Sequence, residues 1–382
     1  MKRFIIAFFH ILFLIGSIAM PSPPTAGSPA DGPYLRVDGP CDLLFPRDHG
    51  AHPGYRVEWW YYTGNLKTER GARYGFQLTF FRSQISPPDH GEAPPSDISA
   101  WRTKQLYFAH TALSSIDDSR FYYQEKMARD AVGLAGVEQG EDGAKIFLGP
   151  WSVLLKPGSH RLKAATDRFG VDLDLTPAKP PILHGIRGYS LKGLNPESAS
   201  CYYSFSRLKA TGSLDLDGRT VAVEGTAWMD HEFSSAPLEK NLTGWDWFGI
   251  QMDDETELMI YLLRKKDNDY SDASSGTFIK RSGESHHLDK DDFQVEVLDH
   301  WKSERSRAIY PSRWRIRVFP MGLDLTVVAN MADQELTTLR TTRVTYWEGS
   351  VSVKGSRTDR SVDGVGYVEM TGYAKPFQFL EE

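Results

Sequence analysis

The stretch RYGFQLTF, residues 73–80, alternates Tyr74, Phe76, Leu78 and Phe80 with Arg73, Gly75, Gln77 and Thr79. Successive strand residues point to opposite faces, so this period of two marks a strand with one face buried. The same pattern returns in Trp314, Ile316 and Val318 between Arg313, Arg315 and Arg317, and in Val171, Leu173 and Leu175 around Asp172 and Asp174. Asp217-Gly218 separates Leu214-Asp215-Leu216 from Val221-Ala222-Val223, and such a pair tolerates the positive φ of a tight hairpin turn. Helical periodicity is sparse, its best case being residues 125–134. Aromatics at 12%, with 33 Gly and 22 Pro, favour a turn-rich β protein over a helical bundle.

At 382 residues the chain is long enough for two domains. Two regions half a chain apart resemble each other. Asp48-His49 recurs as Asp230-His231, and FQLTFFR, ending at Arg82, recurs as LMIYLLR, ending at Arg264. WYYTG (residues 60–64) lines up with WDWFG (residues 245–249) after a small shift. Either an ancient duplication or chance similarity among aromatic strands produces these matches. The duplication predicts an all-β chain of two tandem antiparallel units, residues 31–209 and 210–382, that are either sandwiches or closed barrels, with β-barrels the expectation. The Pro-rich stretch 86–100 is then an excursion within the first unit.

Lys2-Arg3, the apolar run from Phe4 to Met20 and the small residues after it have the three parts of a secretory signal, residues 1–30. An uncleaved anchor is the alternative. The expected location is secreted or periplasmic. In an oxidising compartment Cys41 and Cys201 either form one bridge or remain two buried thiols. A formal charge of −6 without a basic stretch excludes nucleic acid as a partner.

Six ordered segments carry a further signal: FPRDHGAHPGYRVEWWYYTG (45–64), YYSFSRL (202–208), AWMDHEFSS (227–235), GWDWFGIQM (244–252), YWEGSV (346–351) and GYVEMTGY (366–373). Together they resemble the AttH-like and hydroxyneurosporene synthase family, also called the carotenoid 1,2-hydratase family, many of whose secreted members carry the label "predicted secreted hydrolase". The resemblance implies two lipocalin-like barrels in tandem. In the hydratase branch water is added without a cofactor to an alkene of an acyclic polyene, and the Asp of a W/Y-x-D-H motif is implicated as proton donor. The matching residue here is Asp230, between Trp228 and His231. That branch also places a His and a Trp in the preceding strand, where this chain has YYSFSRL.

Protonating an alkene needs a carboxylic acid that keeps its proton near neutrality, which burial achieves, and a cation stabilised by aromatic faces. Asp230 is the expected acid, with Glu232 and His231 as further catalytic candidates. Trp228, Trp245, Trp247, Tyr203, Trp60 and Tyr62, with Glu58, are the expected lining of a cavity inside a barrel. In a strand, Trp228, Asp230 and Glu232 share one face and Met229, His231 and Phe233 the other, so Asp230 and His231 do not touch. The competing reading makes each Asp-His pair a structural latch. Glu58 is either a second buried acid or the partner of Arg56 or Arg82, and Glu348 and Glu369 carry the same ambiguity.

No metal or cofactor is expected, since the H-x-x-H spacing of His49 and His52 lacks a third ligand. No G-x-S-x-G occurs, and Ser206 and Lys209 point to opposite faces of a strand, which counts against a serine hydrolase. Hydrolysis by Asp230 and Glu232 stays open. The functional candidates are therefore an exported enzyme acting on an apolar, isoprenoid- or polyketide-like small molecule, a carrier of a lipid-like ligand, and a structural partner of an envelope or membrane-transporter assembly.

Overall fold

The computed structural model describes residues 34–86, 103–267 and 269–377; the expected signal, residues 1–30, and most of the Pro-rich excursion lie outside them. The described residues form strands joined by tight turns, with three single 3-10 turns and no α-helix among them. The chain adopts the expected all-β architecture of two antiparallel, barrel-like sheets. Residues 73–80 lie in the strand Arg73–Gln84, where Phe76, Leu78 and Phe80 are fully buried and Tyr74 nearly so. Asp217 and Gly218, at φ of 46° and 80°, turn Ala199–Leu216 back into Arg219–Ser234 as their residue types predict.

Each sheet begins with a strand paired both to the next strand and to the last. Val57–Lys67 lies between Arg73–Gln84 and Arg219–Ser234; Leu242–Met252 lies between Glu257–Lys265 and Arg360–Met370. WYYTG and WDWFG occupy these first strands, and FQLTFFR and LMIYLLR the second ones, so the repeat is a repeat of strand order. The two Asp-His pairs are not equivalent. Asp48-His49 sits in a 3-10 turn before the first sheet, whereas Asp230-His231 lies in the last strand of that same sheet.

The expected division at residues 209/210 falls inside the strand Ala199–Leu216, whose Lys209 pairs with Thr226. The chain leaves the first sheet only after Ser234 and enters the second at Leu242, because the Asp217-Gly218 hairpin returns its strand to Val57–Lys67. Residues 125–134, the best helical candidate, instead continue the strand Arg120–Arg129 and a turn; pairing to Gln105–Ser115 overrides local propensity.

Each sheet is filled by its own core. Trp60, Tyr62, Phe76, Leu78 and Phe80 pack with Trp151 and Tyr203 inside the first, and Phe248, Ile250, Trp314 and Trp347 inside the second. A third cluster, with Tyr61, Tyr202, Trp228, Trp247, Met259 and Tyr367, packs between the sheets. Polar ties hold that junction in register. Gln251 donates to the carbonyls of Ser206 and Ala227 at 2.8 and 2.9 Å, and buried Glu257 takes ion pairs from Lys179 at 2.6 Å and Arg207 at 2.5 Å. Cys41 and Cys201 form a disulfide that pins the leading segment to the strand Ala199–Leu216.

Candidate active site

Antiparallel register lines up cavity-facing side chains in rows. Across the first sheet, Asp230, Tyr61, Thr79 and His110 are successive cross-strand neighbours, and Ser204 pairs with Asp230 on its other side without lining the cavity. Across the second, Tyr261, Trp247, Glu369 and Glu348 form a corresponding row. Residues of the two rows bound a cavity of about 190 Å³ between the sheets, walled further by Trp59, Phe81, Trp245 and Tyr346.

Asp230 faces this cavity from the first sheet and is 4% exposed. Its Oδ1 accepts hydrogen bonds from the Ser204 hydroxyl and from Trp228 Nε1 at 2.6 Å; Oδ2 accepts one from the Tyr202 hydroxyl at 2.9 Å. No cation pairs with it among the described residues. Burial pushes the carboxyl up to about 7, against the lowering effect of those three donors. Both lone pairs of Oδ1 are occupied, so the proton resides on Oδ2. Tyr202 in turn accepts from Trp247 Nε1 at 3.0 Å, which fixes a second-sheet indole beside a first-sheet acid.

Behind Asp230, the Ser204 hydroxyl is also 2.6 Å from His184 Nε2, and His184 Nδ1 is 2.8 Å from Thr277 Oγ1. Burial lowers His184 to about 3, so the ring is neutral. Ser204 gives its single proton to Asp230 and does not line the cavity, so this Ser, His and Asp do not form a nucleophilic triad. Ser206 is likewise buried, against Glu257.

Three more carboxyls face the cavity. Glu232 is held by Lys192, whose Nζ lies 2.9 Å away, and by the Ser200 hydroxyl. Glu348 and Glu369 are direct cross-strand neighbours with no cation on either among the described residues. Tyr61 donates to Glu348 Oε1 at 2.6 Å, and burial together with the Glu369 charge holds Glu348 well above the usual carboxylate range. Burial pushes Glu369 up to about 7.

The structure divides the expected site residues between two faces. Asp230, Glu232, Trp245 and Trp247 border the cavity, with Trp228 bonded directly behind Asp230. Asp230 and His231 point to opposite faces, as the strand reading expects. Glu58, Trp60, Tyr62, Tyr203 and His231 lie inside the first barrel and do not line the cavity. Packed aromatic side chains fill that interior, which moves the expected ligand space from within a barrel to the junction between barrels. Tyr202, Ser204, Tyr61 and Trp59 are the site residues that sequence reasoning missed. The run WWYY, residues 59–62, is aromatic on both faces, so its alternation gives no choice between Trp59 and Tyr61 on one side and Trp60 and Tyr62 on the other.

Inside the first barrel, Glu58 is an ion-pair partner. Arg82 Nε donates to Oε2 at 2.8 Å, and His52 Nδ1 and His231 Nε2 approach Oε1 at 2.7 and 2.8 Å. Burial opposes the charge, yet Arg82 and His52 hold Glu58 well below its usual range. The Tyr203 hydroxyl joins His49 Nδ1 at 2.7 Å to His231 Nδ1 at 3.0 Å, so the histidines of the two Asp-His pairs meet there, while Asp230 turns to the cavity and takes no part in the latch. His52, Glu58 and His231 bring possible ligand atoms within 4.8 Å of one another. The Arg82 guanidinium on Glu58 and the closed hydrogen bonding of both rings suit a charge network better than a cation.

A family model described as AttH-like matches residues 36–373. The chain belongs to the AttH-like family. Among solved structures, this AttH-like chain is similar to a candidate AttH from Nitrosomonas europaea, at 33% identity and a TM-score of 0.76, over 87% of this chain and 97% of that one. It shares its fold with kievitone hydratase from Nectria haematococca, at 13% identity and a TM-score of 0.67, over 90% and 96% of the two chains. A structure of CghA with Sch210972 has the same fold at 15% identity and a TM-score of 0.55, over 90% and 96%. Among curated proteins, kievitone hydratase from Fusarium solani subsp. phaseoli is 25% identical over 169 residues, 41% of this chain and 44% of the relative, so the match spans less than half the length of that protein. The AttH-like chain thus has hydratase neighbours in both sequence and fold.

Proposed function

We propose that the protein is a cofactor-independent hydratase that adds water across a carbon–carbon double bond of an apolar, isoprenoid-like molecule held between its two sheets. The observation that carries this reading is Asp230, a carboxyl with no cation partner among the described residues, buried among Trp228, Tyr202 and Trp247 yet bordering a cavity. The hydratase neighbours support the same reaction class.

In this mechanism Asp230 Oδ2 transfers its proton to the less substituted alkene carbon, and the π electrons form the new C–H bond. The cation left on the other carbon faces the rings of Trp245, Trp247 and Tyr61, whose quadrupoles stabilise it without a lone pair to trap it. A water oxygen forms the C–O bond, and the proton it sheds returns to the Asp230 carboxylate. One water is added and the enzyme is unchanged. Ser204, Trp228 and Tyr202 hold the carboxyl in place and lower its proton affinity from what burial alone would impose, which keeps it a useful acid near neutrality.

We place this chemistry outside the cytoplasm. Residues 1–30 and the Cys41–Cys201 bridge support that location. Incubating the purified protein with acyclic terpenes in water enriched in oxygen-18 tests the reaction: labelled alcohol is expected from the wild type and a loss of at least about a hundredfold from Asp230→Asn. Equal incorporation by the two would remove Asp230 as the acid.

A further inference from the structure

Gln77 and Glu348 both line the cavity, are at most 1% exposed, and each carries one side-chain oxygen without a hydrogen-bond partner, Gln77 Oε1 and Glu348 Oε2. An unmatched buried polar atom costs free energy comparable to a lost hydrogen bond, so such atoms call for a partner.

The network behind Gln77 fixes which end of its amide faces outward. Thr341 donates its only hydroxyl proton to Glu125 at 2.6 Å, so the 2.8 Å contact with His110 Nε2 must use the ring's proton. Burial holds His110 neutral, which leaves Nδ1 as an acceptor, and it takes the Tyr346 hydroxyl proton at 2.9 Å. Tyr346 then has only lone pairs for Gln77, so the amide nitrogen must lie there, at 3.3 Å, with its second proton toward Thr79 at 2.9 Å. Gln77 Oε1 is therefore a fixed acceptor. Glu348, bonded through Oε1 to Tyr61, presents Oε2 as a donor when protonated and an acceptor when ionised. A hydroxyl is the small group that satisfies Gln77 and either state of Glu348.

We propose that Gln77 and Glu348 form a subsite for the hydroxyl-bearing end of the ligand, so that the substrate is an unsaturated alcohol or phenol with an apolar tail and not a pure hydrocarbon. The inference rests on the reading that the cavity holds an isoprenoid-like molecule. It adds the polar recognition that an aromatic wall cannot supply.

Binding can be followed by quenching of the cavity tryptophans, with farnesol, its methyl ether and farnesene as probes of one tail length. Farnesol is expected to bind at least about tenfold more tightly than farnesene, and the ether, which can accept from Glu348 but cannot donate to Gln77, more weakly than farnesol. In Gln77→Met the preference should collapse to within about twofold while farnesene binding persists. Equal binding of farnesol and farnesene by the wild type, an ether that matches farnesol, a preference that survives Gln77→Met, or failure of all three probes to bind would each overturn the subsite. The ligand comparison needs only the wild type, so it stands if the variant does not fold. Labelled-water incorporation without hydroxyl preference would overturn the subsite alone, whereas preference without incorporation would overturn hydration alone.

Discussion

Replacing Asp230 by Asn should change how stability depends on pH in a direction opposite to that of most carboxylates. In the unfolded chain this carboxyl titrates near 4; in the fold, burial raises it to about 7. An acid whose folded value lies above its unfolded one binds its proton more tightly in the native state. The stability this gives is fully present below the unfolded value and is lost as pH rises through the window to the folded value. Each pH unit within that window is worth about 1.4 kcal/mol, so between about pH 5 and pH 8 the wild type should lose about 3 kcal/mol relative to Asp230→Asn. Urea unfolding at several pH values, read by tryptophan fluorescence, gives the two curves, and their difference isolates this group. Glu369, also raised to about 7, is present in both proteins and cancels except for the part of its shift that the Asp230 charge supplies. Curves that run parallel, or a wild type that gains on the variant with rising pH, would show that the carboxyl is ionised in the fold and would refute the acid role.

Ser204→Ala removes a donor that lowers Asp230, so the alkaline limb of the activity profile should move to higher pH, as read by label incorporation across pH. A limb that stays in place or moves down would contradict the assignment. Glu58→Gln leaves fully buried Arg82 without its carboxylate and should cost about 3–5 kcal/mol in urea unfolding, with farnesol affinity unchanged because Glu58 lies on the far face of the sheet. Replacing Cys41 and Cys201 together by Ser opens a loop of 160 residues and, on the chain-entropy account, should lower stability by up to about 5 kcal/mol; an unchanged melting temperature would mean the bridge is not formed in solution.

Alternation in segments such as residues 73–80 was enough to read strands, and the aromatic repeat around residues 60–64 and 245–249 was enough to read two like-ordered sheets. Both follow from local stereochemistry, because successive strand residues must point to opposite sides. The opposite facing of Asp230 and His231 was legible for the same reason. The face that serves the site was not. Glu58, Trp60, Tyr62 and Tyr203 look as suitable for a cavity as Trp59, Tyr61 and Tyr202, since both faces of these strands are aromatic. The curl of each sheet sends one set into a packed interior, and the docking of the second sheet turns the other set toward Trp245, Trp247, Glu348 and Glu369. The proton affinity of Asp230 is equally a tertiary property: beside Trp228 on its own strand, the rings of Tyr202 and Trp247 that keep water from it come from other strands, and desolvation depends on what surrounds a carboxyl in space.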